Sequence, residues 1–224
     1  NFFRRDYIEL ETPMLQMIHG GAAARPFTTH MNALDTDLYL RIATEIYLKR
    51  AVVGGVDRVF EMNRNFRNEG MDSSHSPEFT SLEAYEAYSD YNGMAELTRD
   101  LIQQAARDAF DLSEGEEIVR LADGTEYDLS GEWDRIDLYG STSEALGEEI
   151  TVETPRETLV KYAERVGLEV DDYAVAGKIV EDIFEELVAS KLWAPTFVYD
   201  FPEDTSPLTR YHRSRPGLTE KWDL

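Results

Sequence analysis

The chain has 224 residues, 42% of them hydrophobic and 30% charged, which is the composition of one well-buried globular domain. It contains no cysteine, which excludes disulfide bonds and cysteine-ligated metal sites, and no apolar run approaches the ~20 residues of a membrane helix, so we expect a cytoplasmic domain without membrane contact. Its 45 acidic and 22 basic residues give a formal net charge of −23, which argues against extensive contact with a phosphate backbone.

Short strands and loops are predicted in the first part of the chain. Residues 1–9 have the pattern of a helix end that runs into a strand, and Pro13 ends that strand because it donates no ladder hydrogen bond. Gly20 and Gly21 predict either a tight turn or a loop whose backbone approaches a ligand closely. Two strands joined by a polar turn follow, at 27–31 and 38–42.

A helix is predicted over 44–53, where apolar residues recur at helical spacing and two glycines follow the last turn. Glu45 lies in the first turn, where a carboxylate interacts favourably with the helix dipole. From spacing alone, stabilising the helix and binding a ligand explain this residue equally well.

The segment 58–88 predicts two strands joined by a polar loop, because residue types alternate with a period of two on both sides of the loop. It is unusually rich in charge, with Arg67, Glu69, Glu78, Glu83 and Glu86 close to several aromatic rings. A solvated face is the ordinary explanation of such charge. We expect instead that these charges point inward along one face and form a site.

The second half of the chain predicts helices around a smaller number of strands. An amphipathic helix covers 92–110, and a hairpin with Asp-Gly at its turn covers 117–129. Two helices are predicted within 154–192, the first opened by a capping box at Thr154 and the second running from Tyr173 to Leu192, and a strand follows at 196–201.

One basic cluster, formed by Arg210, Arg213 and Arg215, stands near the end of this acidic chain. A solvated loop explains it. The alternative is a loop that lines a substrate mouth, because guanidinium groups suit phosphate.

Four blocks, in the same order, resemble the catalytic domain of class II lysyl-tRNA synthetases. ELETPML at 9–15 resembles the end of motif 1, and 20–50 resembles the stretch between motifs 1 and 2. FRNEG at 66–70 with HSPEFTSLEAY at 75–85 resembles motif 2, and PTFVYDFPEDTSPLTR at 195–210 resembles a later segment of the same domain. The resemblance therefore covers nearly the whole chain.

The resemblance implies an α+β fold, an antiparallel sheet flanked by helices, in a partial domain at 1–224 that is truncated at both ends. The end of motif 1 falls at 7–15, motif 2 at 58–88 and a helical insertion at about 154–192. Motif 3 and the metal-binding acidic strand are absent from this sequence. We therefore expect Mg²⁺ ligands beyond Leu224 and no metal site within the segment, and we expect the segment alone to be inactive.

Residue roles follow from the matching motif positions. The resemblance implies that Arg67 is catalytic. ATP would contact Arg67, Glu69, His75 and Phe79, with Glu69 on the same strand face as Arg67 and accepting from the adenine amine. Lysine would contact Gly21, Glu45, Arg67, Glu83 and Tyr85, the last two around its ε-ammonium group.

Three positions depart from the family pattern. Thr44 replaces the usual proline before Glu45, and Ser74 and Ser76 replace the usual arginine and asparagine of the motif 2 loop. The serine at 74 and the sequence at 211–218 are similar to the synthetase half of bacterial bifunctional lysylphosphatidylglycerol synthases.

The function implied by the resemblance is that of a lysine–tRNA ligase, with L-lysine, ATP and tRNA(Lys) as substrates and a homodimer formed through motif 1. A synthetase-like domain that supplies a lipid-modifying pathway is one alternative. A paralogue that binds lysine or an adenylate without aminoacylation is another.

Overall fold

The computed structural model describes residues 1–72 and 75–224, which form two compact units, Asn1–Ser89 and Asp90–Leu224. Both units combine helices with mainly antiparallel strands, which confirms the predicted α+β class. In the part of the chain that is described, no helix is long and apolar enough to cross a membrane.

The first unit is built around a long hairpin. Its elements are β1 (Ile8–Glu9), β2 (Leu15–Gln16), β3 (Thr28–Met31), β4 (Thr36–Leu40), α1 (Glu45–Val53), β5 (Arg58–Phe66) and β6 (Glu78–Glu86), after a short 3₁₀ turn at Phe2–Arg5. Strands β5 and β6 pair antiparallel over their full length, and β1 pairs parallel with β5. In a second sheet, β4 lies between β2 and β3. The predicted hairpin, strand pair and first helix are thus confirmed, with ends shifted by one or two residues.

The register of the hairpin decides which side chains share a face. Glu83 pairs with Glu61 across the strands, while Glu78 and Glu86 occupy positions of the opposite parity. Because side chains alternate between the two faces of a strand, Glu78 and Glu86 lie on the face opposite to Glu83. The prediction that all five charged residues point along one face is wrong for these two.

The second unit contains two apolar clusters. Its elements are α2 (Tyr91–Phe110), β7 (Ile118–Arg120), β8 (Glu126–Asp128), β9 (Asp134–Asp137), α3 (Leu138–Leu146), α4 (Arg156–Arg165), α5 (Ala176–Leu187), β10 (Thr196–Tyr199) and β11 (Trp222–Asp223). Strand β10 pairs parallel with β9 and antiparallel with β11. Buried Leu138, Leu159 and Ile183 belong to the larger cluster, and Trp133 and Phe197 to the smaller one.

Two details of the predicted insertion at 154–192 are wrong. Pro155, not Thr154, occupies the N-cap of α4, and the Thr154 hydroxyl accepts from the Thr151 amide instead of capping the helix. Helix α5 begins at Ala176, so it leaves Tyr173 exposed outside the helix.

Gly177 allows the start of α5 to pack closely against the chain that follows β10. Its amide donates to the Asp204 carboxylate at 3.0 Å, and a Cβ atom at this position would lie 2.0 Å from that carboxylate and 2.4 Å from Pro202. We expect Gly177→Ala to lower the free energy of unfolding by about 2 kcal/mol, because overpacking outweighs the better helix propensity of alanine. Urea denaturation measures this. Gly20→Ala is the control, since a Cβ there meets nothing within 4 Å, and equal stability of the two variants would contradict the packing explanation.

Candidate functional site

Glu83, on β6 of the first unit, is held by neutral hydrogen-bond donors. The Thr44 amide donates to one carboxylate oxygen at 3.1 Å, and the Tyr85 hydroxyl donates to the other, also at 3.1 Å. Among the described residues, no lysine, arginine or histidine forms an ion pair with this partly buried carboxylate. Such a group is costly to leave without a cation, so the position suits a cationic ligand.

Tyr85 keeps its proton in this environment. Burial, followed by the negative charges of Glu83 and Glu45, raises the pKa of Tyr85 above its usual range. The phenol therefore remains a hydrogen-bond donor to Glu83. Two carboxylates and one hydroxyl thus lie close together in the first unit.

Glu45 is the first residue of α1 and lies next to the glycine loop. The backbone of Gly21 has φ +92°, and a Cβ atom there would lie 3.2 Å from the Cβ atoms of both Ala43 and Glu45. Only glycine combines this conformation with so close an approach. The structure thus brings Gly21 and Glu45 together, while their contacts with lysine stay a prediction.

Lys49 supplies the cation that Glu45 contacts. Its Nζ atom lies 2.5 Å from the Glu45 carboxylate, one helical turn away, and 5.9 Å from the centroid of the Tyr85 ring. Nothing in the sequence pattern indicated a role for this residue.

Arg67 lies just beyond the end of β5, beside the ring of Phe79. Its guanidinium carbon is 5.1 Å from the ring centroid, and its Nε donates to the Ile42 carbonyl at 3.3 Å. Since Ile42 lies two residues before Thr44, this bond ties Arg67 to the segment that also contacts Glu83. The arginine and the carboxylate are therefore fixed to the same short stretch of backbone.

A cavity of about 280 Å³ opens beside Arg67. Its lining residues are Arg67, Glu69, Gly70, His75, Ser76 and Phe79. Glu69 does not continue the strand face as predicted, because β5 ends at Phe66 and the chain then leaves the ladder, with the Asn68 amide bonded to the Arg25 carbonyl at 2.8 Å. It nevertheless reaches the same cavity as Arg67.

His75 is exposed and is oriented by Asp72. Its Nδ1 lies 2.9 Å from both oxygens of that carboxylate, and the Asp72 side chain also accepts from the His75 amide. The replacement noted at Ser74 lies outside the described residues, whereas Ser76 lines the cavity.

A chain of buried side-chain hydrogen bonds supports the site, and the sequence pattern alone did not predict it. Asn65 donates to Ser81, Ser81 donates to Asn63, and Asn63 donates to the Thr44 hydroxyl, at distances between 2.8 and 3.2 Å. Thr44 in turn contacts Glu83 through its amide. Polar residues at every second position of β5 were the available signal, since a strand with one buried face would ordinarily carry apolar residues there.

Arg41 neutralises the carboxylate opposite Glu83. It forms an ion pair with Glu61 at 2.9 Å, and both side chains are less than 5% exposed. It also donates to the Thr12 and Arg64 carbonyls. Because Glu61 is compensated in this way, its charge is balanced within the fold, and the charge of Glu83 is left for a ligand.

The basic cluster of the second unit is paired internally. Arg215 binds Asp137 at 2.8 Å and also contacts Asp200, while Arg213 binds Glu220 at 2.8 Å. Most of this positive charge is therefore compensated, and the role of a substrate-mouth loop stays a prediction. Across residues 1–72 and 75–224, no group of three acidic or histidine side chains could hold a metal ion.

Comparison with known proteins identifies the family of this chain. The family of class II tRNA synthetases (D, K and N) matches residues 1–224. Lysine–tRNA ligases of Kineococcus radiotolerans and Mycolicibacterium gilvum are 60% and 61% identical over 98% and 99% of this chain. The lysylphosphatidylglycerol biosynthesis bifunctional protein LysX of Mycolicibacterium vanbaalenii is 51% identical over 98% of the chain.

The chain spans less than half the length of the curated ligases that it matches, 43% and 44% for these two, and 20% of the bifunctional protein. The match nevertheless includes every residue of the chain. The chain therefore belongs to the class II tRNA synthetases of the D, K and N group.

Proposed function

We propose that this chain is part of the catalytic domain of a lysine–tRNA ligase, which activates L-lysine with ATP and transfers it to tRNA(Lys). The observation that supports this most strongly is Glu83, a partly buried carboxylate held by neutral donors without a cation among the described residues. A buried ammonium group needs such a partner. The sequence identity to lysine–tRNA ligases also supports lysine as the substrate.

In this proposal, the lysine substrate lies along the face of the hairpin. Glu83 and Tyr85 bind its ε-ammonium group, and Glu45 with the Gly21 backbone binds its α-ammonium group. The raised pKa of Tyr85 supports its part, because the phenol stays available as a hydrogen-bonding group. The contact between Gly21 and Glu45 supports a common role for the two.

Arg67 is the proposed catalytic residue. A carboxylate oxygen of lysine attacks the α-phosphorus of ATP, a P–O bond forms, and the bond to pyrophosphate breaks. Both reactants are anions, so catalysis requires that they be held together and that developing charge be neutralised. The planar guanidinium can bridge the lysine carboxylate and the α-phosphate, which an ammonium group does less rigidly.

The cavity beside Arg67 is the proposed site of ATP. Glu69 accepts a hydrogen bond from the adenine amine, Phe79 stacks on the base, and His75 contacts the outer phosphates. All three line the cavity together with Arg67. Magnesium would neutralise phosphate charge when bound, but the described residues do not offer it a ligand set. None of the roles assigned to these residues depends on the ion.

The wider arrangement is proposed from the family. Residues 1–224 form part of one catalytic domain, with the end of motif 1 at 7–15, motif 2 at 58–88 and a helical insertion at about 154–192. The complete protein forms a homodimer through motif 1 in the cytoplasm. The net charge of −23 indicates that tRNA is bound mainly through surfaces other than this one.

A second candidate is the synthetase half of a lysylphosphatidylglycerol pathway protein, which the 51% identity to the bifunctional protein favours. It would use the same site to make lysyl-tRNA for a lipid transferase. A paralogue that binds lysine or an adenylate without charging tRNA is the third.

Lysine-dependent exchange between ATP and pyrophosphate by the complete protein tests the proposal. We expect exchange with lysine and transfer of lysine to tRNA(Lys). Exchange without transfer would favour the paralogue, and added production of lysylphosphatidylglycerol in vesicles would favour the lipid pathway. Exchange with another amino acid in preference to lysine would contradict all three.

A further inference from the structure

The ammonium group of Lys49 occupies the surroundings proposed for the substrate. Its Nζ atom lies 2.5 Å from Glu45, whose side chain is 18% exposed, and it faces the Tyr85 ring at 5.9 Å. Within the described residues, Lys49 is the partner of the Glu45 carboxylate. The Lys49 side chain itself is 46% exposed, so it has room to move toward solvent.

Two ammonium groups cannot share this carboxylate without cost. If the α-ammonium of lysine binds Glu45, it either displaces Lys49 or lies beside a like charge. Displacement costs less than placing two ammonium groups side by side, because the long, flexible stem of Lys49 lets its head group move into solvent, where it is readily hydrated. Substrate binding at Glu45 then becomes an exchange of one ammonium group for another.

We propose that Lys49 is an internal counter-ion that occupies Glu45 in the empty site and is displaced by the α-ammonium group of the substrate. This inference rests on the proposed function. Lys49 keeps Glu45 compensated between turnovers and weakens the apparent affinity for lysine. It thus sets the concentration at which the site fills, without touching the reacting atoms.

A plain helix-stabilising pair is the competing explanation. Pairs of Lys and Glu one turn apart stabilise helices generally and need no ligand. If Lys49 only stabilises the helix, its substitution changes the stability of the protein but not its relative affinity for different ligands. Ligands that differ only in the α-ammonium group therefore separate the two explanations.

The experiment is calorimetric titration of the complete protein with lysine and with 6-aminohexanoate, which keeps the carboxylate and the ε-ammonium but lacks the α-ammonium. We expect Lys49→Met to bind lysine about 10-fold more tightly than wild type, as follows if Lys49 occupies Glu45 about 90% of the time. Binding of 6-aminohexanoate is expected to change by less than about twofold, because this ligand does not compete for Glu45. Lys49→Arg retains the cation and should return lysine affinity toward the wild-type value.

Arg50→Met is the matched control for charge. It removes one positive charge from the adjacent position of α1, where the guanidinium lies over the Tyr47 ring at 5.4 Å and does not contact Glu45. Unchanged or weaker lysine binding by Lys49→Met, or equal tightening by Arg50→Met, would overturn the inference while leaving the proposed function in place. A wild-type protein that does not bind lysine would remove the proposed function, and this inference with it.

Discussion

Norleucine is expected to bind the complete protein at least ~10⁴-fold more weakly than lysine, a difference of about 5.5 kcal/mol. It has nearly the shape of lysine but lacks the ε-ammonium group. Its binding would leave Glu83 and Tyr85 buried beside an apolar chain, with the charge of Glu83 unpaired. Sites built for a polar group reject an analogue without that group far more strongly than sites that lose one methylene.

Calorimetric titration with lysine, norleucine and arginine measures this discrimination. Glu83→Gln is expected to weaken lysine binding more than ATP binding, because it removes the negative charge and preserves the shape of the side chain. Glu78→Gln is the matched control, since Glu78 lies on the opposite face of β6. Similar affinities for lysine and norleucine would remove lysine as the substrate, whatever the fold.

Arg67→Lys is expected to lower the rate of lysine-dependent ATP–pyrophosphate exchange by at least ~100-fold, a loss of about 2.7 kcal/mol. The charge is retained, but the planar fork that can hold two anions together is lost. The stacking of Arg67 on Phe79 and its bond to the Ile42 carbonyl fix that fork in the present structure. The ammonium group of a lysine side chain at position 67 cannot reproduce this geometry.

The complete protein, assayed at saturating lysine and ATP, gives the relevant rate. Arg64→Lys is a suitable control, because Arg64 lies within β5 on the face opposite to Glu61 and pairs only loosely with Glu78, at 3.8 Å. A rate for Arg67→Lys within a few-fold of wild type would show that Arg67 has a structural role and not a catalytic one.

Local periodicity predicted the regular parts of the fold. The twenty-residue helix α2 and the paired strands β5 and β6 carry long, consistent patterns, and the structure has them within one or two residues of the predicted ends. Strand β9 and helix α3 were not predicted. Strand β9 is only four residues long and largely polar, and it is formed through parallel pairing with β10, some sixty residues later in the chain. Sequence periodicity carries no information about such a distant partner.

The candidate site, too, could be predicted only in part from the sequence. Family resemblance supplied residues such as Glu83 and Arg67, and the structure adds how they are held. The amide that contacts Glu83 belongs to Thr44, 39 residues earlier, and the cation on Glu45 comes from Lys49. Polar residues such as Asn63 were assigned to no site, because polar residues are mostly exposed and only tertiary contacts identify a buried network.

The ion pair between Arg41 and Glu61 has a consequence for how such a domain can acquire new specificities. Because Glu61 is compensated within the fold, Glu83 is the member of this cross-strand pair of carboxylates whose charge faces a ligand. A substitution there can reverse or abolish that charge without leaving an uncompensated group in the core. A scaffold of this kind is suited to divergence between cationic, neutral and anionic amino acids. The charge at position 83 can change while the buried ion pair that supports the sheet stays intact.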